Sequence, residues 1–189
     1  MDTRRTRPFA PFALAFLLGG SLLAGEAVAA DGDKSAQAKL GTVTPTAFAT
    51  QAAEGGLAEV QLAELARQQA NSDAVKRFAD RMITDHGKAN TELEALARAR
   101  NMTLPKTLNA EHKATLKSLQ GKKGAEFDAA YMAAMKKDHV KDIALFEAAT
   151  GPGFKDDDLK AFATKTLPVL QEHHQLVEST QDQLRQAQR

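Results

Sequence analysis

The chain contains no cysteine, no tryptophan and one tyrosine. Without cysteine there can be no disulfide, no thiol nucleophile, no thiolate metal site and no lipid anchor of the lipoprotein kind. Alternating apolar and polar runs of strand length are also absent, as are hairpin turns and β-branched clusters. That excludes a membrane barrel, which needs alternating strands and aromatic girdles. Charge of one sign is missing too: 25 basic residues face 24 acidic ones, for a net charge of +1. Both signs are interleaved along the chain, so no basic surface for nucleic acid emerges. There is no nucleophile elbow, no phosphate loop and no pair of acids at a defined spacing, which points away from an enzyme.

What is present begins with an export signal. Arg4, Arg5 and Arg7 form a basic start, an apolar run follows from Phe9 to Ala24, and Ala27-Val28-Ala29 offers small residues for cleavage. The run is shorter than the roughly 20 apolar residues that span a bilayer. Residues 1–30 are therefore expected to be a signal peptide, and the product to be periplasmic or secreted with no membrane span after its removal. Residues 31–44 are polar or small without apolar period and are expected to form a flexible tether.

From Thr44-Pro45 onward the pattern is helical throughout. Threonine as N-cap and proline at the first helical position open a helix to about Gln69, with Phe48, Ala52, Gly55, Glu59, Leu62 and Ala66 inward. Gly55-Gly56 interrupts it, at about 1 kcal/mol per glycine, and suggests close backbone packing or a break. Asn71-Ser72 caps a second amphipathic helix to about Arg100, with Val75, Phe78, Met82, His86 and Leu93 on its apolar face. Leu104-Pro105 breaks the pattern. A short helix from Glu111 to Gln120 follows, which Gly121 and Gly124 are expected to close. A third long helix, about 125–150, carries Phe127, Tyr131, Met135, His139, Ile143 and Phe146 inward. The fourth, 157–187, opens on Asp156, Asp157 and Asp158, which suit the positive end of a helix dipole. It presents Leu159, Phe162, Leu170, His173 and Val177 inward. Pro168 is expected to kink or break it.

One unit occurs twice. Met82-Ile83-Thr84-Asp85-His86-Gly87-Lys88 shares Met, Asp, His and Lys with Met135-Lys136-Lys137-Asp138-His139-Val140-Lys141. Glu59, His86, His139 and His173 each fall near the middle of a long helix, roughly 20–24 Å along it at about 1.5 Å per residue. They can share one central layer of three imidazoles and one carboxylate. Such a set suits zinc, copper, nickel or iron, and Glu59, His86, His139 and His173 are the candidate ligands. Asp85, Asp138, Tyr131 and Glu147 are candidates for a supporting outer shell. The same layer could instead be a metal-free polar network sensitive to protonation. His112 is expected at a bundle end, and His174 at the surface.

Ala53-Glu54-Gly55-Gly56-Leu57-Ala58-Glu59, Met82-x-x-Asp85-His86-x-Lys88, Phe127-Asp128-x-x-Tyr131, Leu145-Phe146-Glu147 and Leu167-Pro168-x-Leu170-x-x-His173 together resemble the exported bacterial domain of unknown function numbered 4142. The resemblance covers about residues 45–180. It implies an all-α, ferritin-like four-helix bundle over 45–187, with a short extra helix between the second and third long helices, and no established activity. The outer-membrane label often attached to that family conflicts with the missing strands. A di-metal carboxylate centre of the ferritin kind would use Glu-x-x-His pairs, which this chain lacks. Two functions stay open: a non-enzymatic periplasmic bundle with a binding or envelope-stress role, whose partner would be an envelope protein or a second copy of itself, and a transition-metal-binding or metal-dependent redox protein.

Overall fold

The computed structural model describes residues 43–187 and 189. The expected signal segment and all but the last two residues of the expected tether lie outside that range. The described residues form five α-helices and no strand: α1 (Pro45–Gln69), α2 (Asp73–Ala99), α3 (Ala110–Gln120), α4 (Gly124–Thr150) and α5 (Asp157–Ala187).

The boundaries follow from local chemistry. Thr44 Oγ1 accepts from the Ala47 amide, with Pro45 at the first helical position. Ser72 caps α2 by accepting from Ala74, and Asn109 caps α3 by accepting from His112. α2 ends at Asn101, whose φ of 54° is left-handed. The Met102 amide returns to the Ala97 carbonyl and the Asn101 amide to the Arg98 carbonyl, the paired bonds that close a helix around a left-handed residue. Termination thus comes before Pro105.

One expectation needs correction and another is narrowed. Gly124 does not close α3. With φ of 58° it is the first residue of α4, a turn conformation that a side chain would strain. Nor is α5 broken at Pro168. Pro168 and Thr164 both lie on the exposed face, so the carbonyl left without an amide donor can bond to water. α1 likewise continues through Gly55-Gly56.

Three contacts fix the arrangement. Asp128, at the start of α4, accepts from the amides of Asn71 and Ser72 at 2.9 and 2.8 Å, so α4 begins where α1 ends. At the other end Phe48 of α1 meets Phe146 of α4, ring centroids 5.0 Å apart. Arg100, after α2, pairs with Asp156 and Asp158 at the start of α5. Each long helix is therefore antiparallel to both neighbours in the ring α1, α2, α5, α4, and α2 and α4 are parallel across the diagonal. The connection through α3 must cross the length of the bundle, as in ferritin-like folds with one long crossover.

The apolar interior has two halves. Phe48, Phe146, Phe154, Phe162 and Leu93 fill one, with edge-to-face aromatic contacts each worth about 0.5–1.5 kcal/mol beyond burial. Leu62, Phe78, Met82, Phe127, Tyr131, Met132 and Met135 fill the other. Between them lies a polar layer.

Asp156 holds α5 at its start. It accepts from the Leu159 amide at 2.9 Å and from Arg100 at 2.6 and 2.8 Å. The hydrogen bonds from Arg100 hold its carboxyl below the usual range. Asp156→Ala should cost about 1–2 kcal/mol at neutral pH, the scale of a lost cap. A depressed carboxyl stabilises fully above the unfolded pKa and progressively less as pH falls through the folded one. The difference between wild type and variant in urea unfolding should therefore be constant above about pH 5 and shrink below about pH 4. A difference that stays constant into strong acid would contradict the ion-paired cap.

Candidate metal centre

The layer takes one side chain from each long helix: Glu59 from α1, His86 from α2, His139 from α4 and His173 from α5. All four are buried, His139 and His173 completely. The three imidazoles form a nearly equilateral triangle, with centroids 5.3, 5.5 and 5.6 Å apart. One ring nitrogen from each lies within 4.8 Å of one from each of the others.

Two of the rings are fixed by a hydrogen bond through one nitrogen. His139 Nδ1 donates to the Met135 carbonyl at 2.9 Å, one turn back along α4. His173 Nε2 donates to Asp85 at 3.0 Å. His86 turns Nδ1 toward Glu59 at 2.9 Å. The other nitrogens, His86 Nε2, His139 Nε2 and His173 Nδ1, are buried without a hydrogen-bond partner. Glu59 also approaches His139 Nδ1 at 3.2 Å. Neither of its oxygens is aligned for a hydrogen bond with these rings.

Burial sets the protonation. It pushes His86 and His173 down to about 4 and also lowers His139, so all three rings are neutral at physiological pH. It pushes Glu59 up to about 7, against the attraction of His139. For Asp85 burial works upward, but hydrogen bonds from Arg81 and His173 overcome it and hold the carboxyl below its usual value. Arg81 contacts Asp85 directly and reaches Glu172 at 3.1 Å. Asp85 is therefore an ionised acceptor behind His173.

The remaining expected outer-shell residues divide. Tyr131 lies below the layer, stacked on Phe127 and edge-on to Phe78; its hydroxyl is buried without a partner. Asp138 is buried. The main charge opposing its raised pKa is His112 of α3, so His112 is buried against α4 rather than placed at a bundle end. Glu147 is exposed, because eight residues beyond His139 carry it about 80° around the helix. His174 is half-buried.

One residue escaped the sequence reading. Asp142, three residues after His139, packs against Glu59, and burial followed by the Glu59 charge drives its carboxyl well above the usual range. A Cβ on Gly55 would stand 3.0 Å from Asp142 Oδ1. The glycine in α1 and the His139-x-x-Asp142 spacing were the available signals. With Glu59, His86 and Asn90, Asp142 lines a cavity of about 20 Å³ beside the layer, room for about one water.

The profile of a family described as Domain of unknown function (DUF4142) matches residues 30–180. The chain belongs to this family. No curated protein matches it in sequence. Two solved structures share the fold of this DUF4142 chain. A DUF305 fragment from Deinococcus radiodurans has a TM-score of 0.66 at 11% identity, with 73% of this chain and 95% of that one covered. A DUF305 protein from Streptomyces coelicolor, described as secreted, has a TM-score of 0.63 at 12% identity, with 74% and 93% covered. At such identities the likeness shows the fold alone. No helix among the described residues is long and apolar enough to cross a membrane.

An unpartnered buried hydroxyl is destabilising. Tyr131→Phe should thus leave the denaturation midpoint unchanged or raise stability by up to about 1–2 kcal/mol. A clear loss of stability would show that the hydroxyl has a partner inside the folded protein.

Proposed function

We propose that this DUF4142 chain is a periplasmic or secreted protein that binds one transition metal ion through His86, His139 and His173. The observation that carries this reading is the set of three buried, unpartnered imidazole nitrogens at the centre of the bundle. His139 and His173 carry their proton on the nitrogen that donates outward, so His139 Nε2 and His173 Nδ1 are acceptors only and cannot satisfy each other. Leaving each alone costs about 1–3 kcal/mol, and one cation would satisfy all three.

The opposite sides of the rings support the same reading. Metal-binding histidines commonly donate their second nitrogen to a carboxylate or carbonyl, which fixes the ring and makes the free nitrogen a better ligand. His173 does so to Asp85 and His139 to the Met135 carbonyl. Glu59 stands at the outer nitrogens of His86 and His139. Its role in this arrangement is to balance the charge of the ion by giving up its proton, rather than to ligate as the sequence spacing suggested. Three imidazoles favour zinc, copper, nickel or iron over magnesium or calcium. Tetrahedral nitrogens around zinc lie roughly 3.4 Å apart, given bonds of about 2.0–2.1 Å, so the rings stand somewhat wider than a bound ion would hold them.

Binding is favoured over catalysis by space. The cavity of about 20 Å³ at the layer admits a water-sized ligand, whereas pockets for organic molecules are about 300–1,000 Å³. When bound, the ion would supply a Lewis acid or a redox couple. The chain's own residues hold it, neutralise it and keep bulk water out.

Protein prepared without chelator or affinity-tag metal should take up close to one equivalent of zinc, copper or cobalt in a calorimetric titration, with a rise in melting temperature by mass action. His86→Ala, His139→Ala and His173→Ala should each abolish the near-stoichiometric uptake. Asp85→Asn should weaken it about 10–100-fold. A folded wild type that takes up none of these ions would leave the layer as architecture and direct attention to envelope partners.

A further inference from the structure

Two voids in the bundle share two lining residues, one of them polar. The larger is a groove of about 540 Å³ between α1, α2 and the start of the crossover, walled by Leu57, Ala97, Met102 and Leu104 among others. The smaller is the cavity of about 20 Å³ against Glu59, His86 and Asp142. Asn90 and Leu93 line both. Asn90 lies one turn beyond His86 on α2, so it stands between the outer groove and the histidine layer. The depression beside Phe78 and Arg81, by contrast, has none of the four layer residues in its wall.

The seat of Asn90 is unusual. A Cβ on Gly56 would lie 2.1 Å from Asn90 Oδ1, so glycine at this position lets the amide lie directly on the α1 backbone. A glycine inside a helix costs about 1 kcal/mol against alanine, and here the gain is room for one side chain at one place. That side chain is half-buried, and rotation about its two torsions suffices to lift it from the notch. Its amide is neutral, with an oxygen that can contact a passing cation without holding it as a carboxylate would. Behind it stand Glu59 and Asp142.

We propose that the groove is the entrance to the histidine layer and that Asn90, seated over Gly56, is the gate between them. The identity of what passes, a transition metal ion, rests on the function proposed above. The position of the gate rests on the two voids and the glycine notch alone.

Two measurements on the full chain separate these claims. The first needs no metal: exchange of the imidazole C2 proton for deuterium, read residue by residue by mass spectrometry. Asn90→Ala should accelerate exchange at His86 several-fold and leave His112, outside the layer, unchanged. Asn90→Leu, which refills the notch with a side chain of the same shape, should exchange like wild type. The second is stopped-flow association and dissociation of Co²⁺ followed by its visible absorption. Asn90→Ala should speed both rates by the same factor and leave affinity unaltered. Unchanged His86 exchange in Asn90→Ala that melts like wild type would overturn the gate, as would equal acceleration at His112, which signals general loosening. If wild type takes up none of zinc, copper and cobalt, the metal reading falls and the exchange experiment alone decides the gate.

Discussion

The structure depends on the burial of four polar side chains at the midpoint of an otherwise apolar core. Taking charges out of water is expensive, and here the cost is limited by proton placement. Burial strips the proton from the imidazoles and pushes one onto the carboxyls, so Glu59 and Asp142 are raised while His86 and His173 are lowered. The interior therefore holds dipoles and lone pairs more than full charges. Asp85 is the exception, and it sits where Arg81 can reach it. The apolar halves on either side, one rich in phenylalanine and one in methionine, supply the burial that keeps the four helices together around this layer.

Much of this was legible in the spacing of residues. A helical stripe with one polar residue near each midpoint needs only a common height to become a layer, and antiparallel packing preserves that height whichever way neighbours run. Glu59, His86, His139 and His173 were therefore within reach of the sequence, as were the caps at Thr44, Ser72 and Asn109. What failed was rotation. Glu147 was a candidate for the outer shell, but the helical period turns it to solvent. Asp142 was missed for the converse reason: it sits on the flank of the stripe, and only the empty space at Gly55 on another helix lets it turn in. A property of one helix that depends on a missing side chain in its neighbour leaves little trace in periodicity.

The crossover was beyond the same reasoning. Residues 101–123 carry turn signals that fit a local reversal as well as a long return. The choice is made by contacts far apart in the chain, Asp128 with the amides of Asn71 and Ser72 and Phe48 with Phe146. Gly124 was misread through chain direction, since a glycine after a helix can equally begin the next; at Pro168 the helix continues, because a proline on a wet face leaves its carbonyl to water. The likeness to DUF305 structures at 11–12% identity shows the shared fold alone.

The Asp128 clamp also acts as a measuring device. It pins the first turn of α4 to the turn that launches α2, and from that shared origin the two parallel helices climb in step toward His86 and His139. Each residue of slip would move one ring past the other by about 1.5 Å, which is large against the tolerance of a site built from side chains. The alignment of the centre is thus set some 16 Å away, by a carboxylate that never touches it.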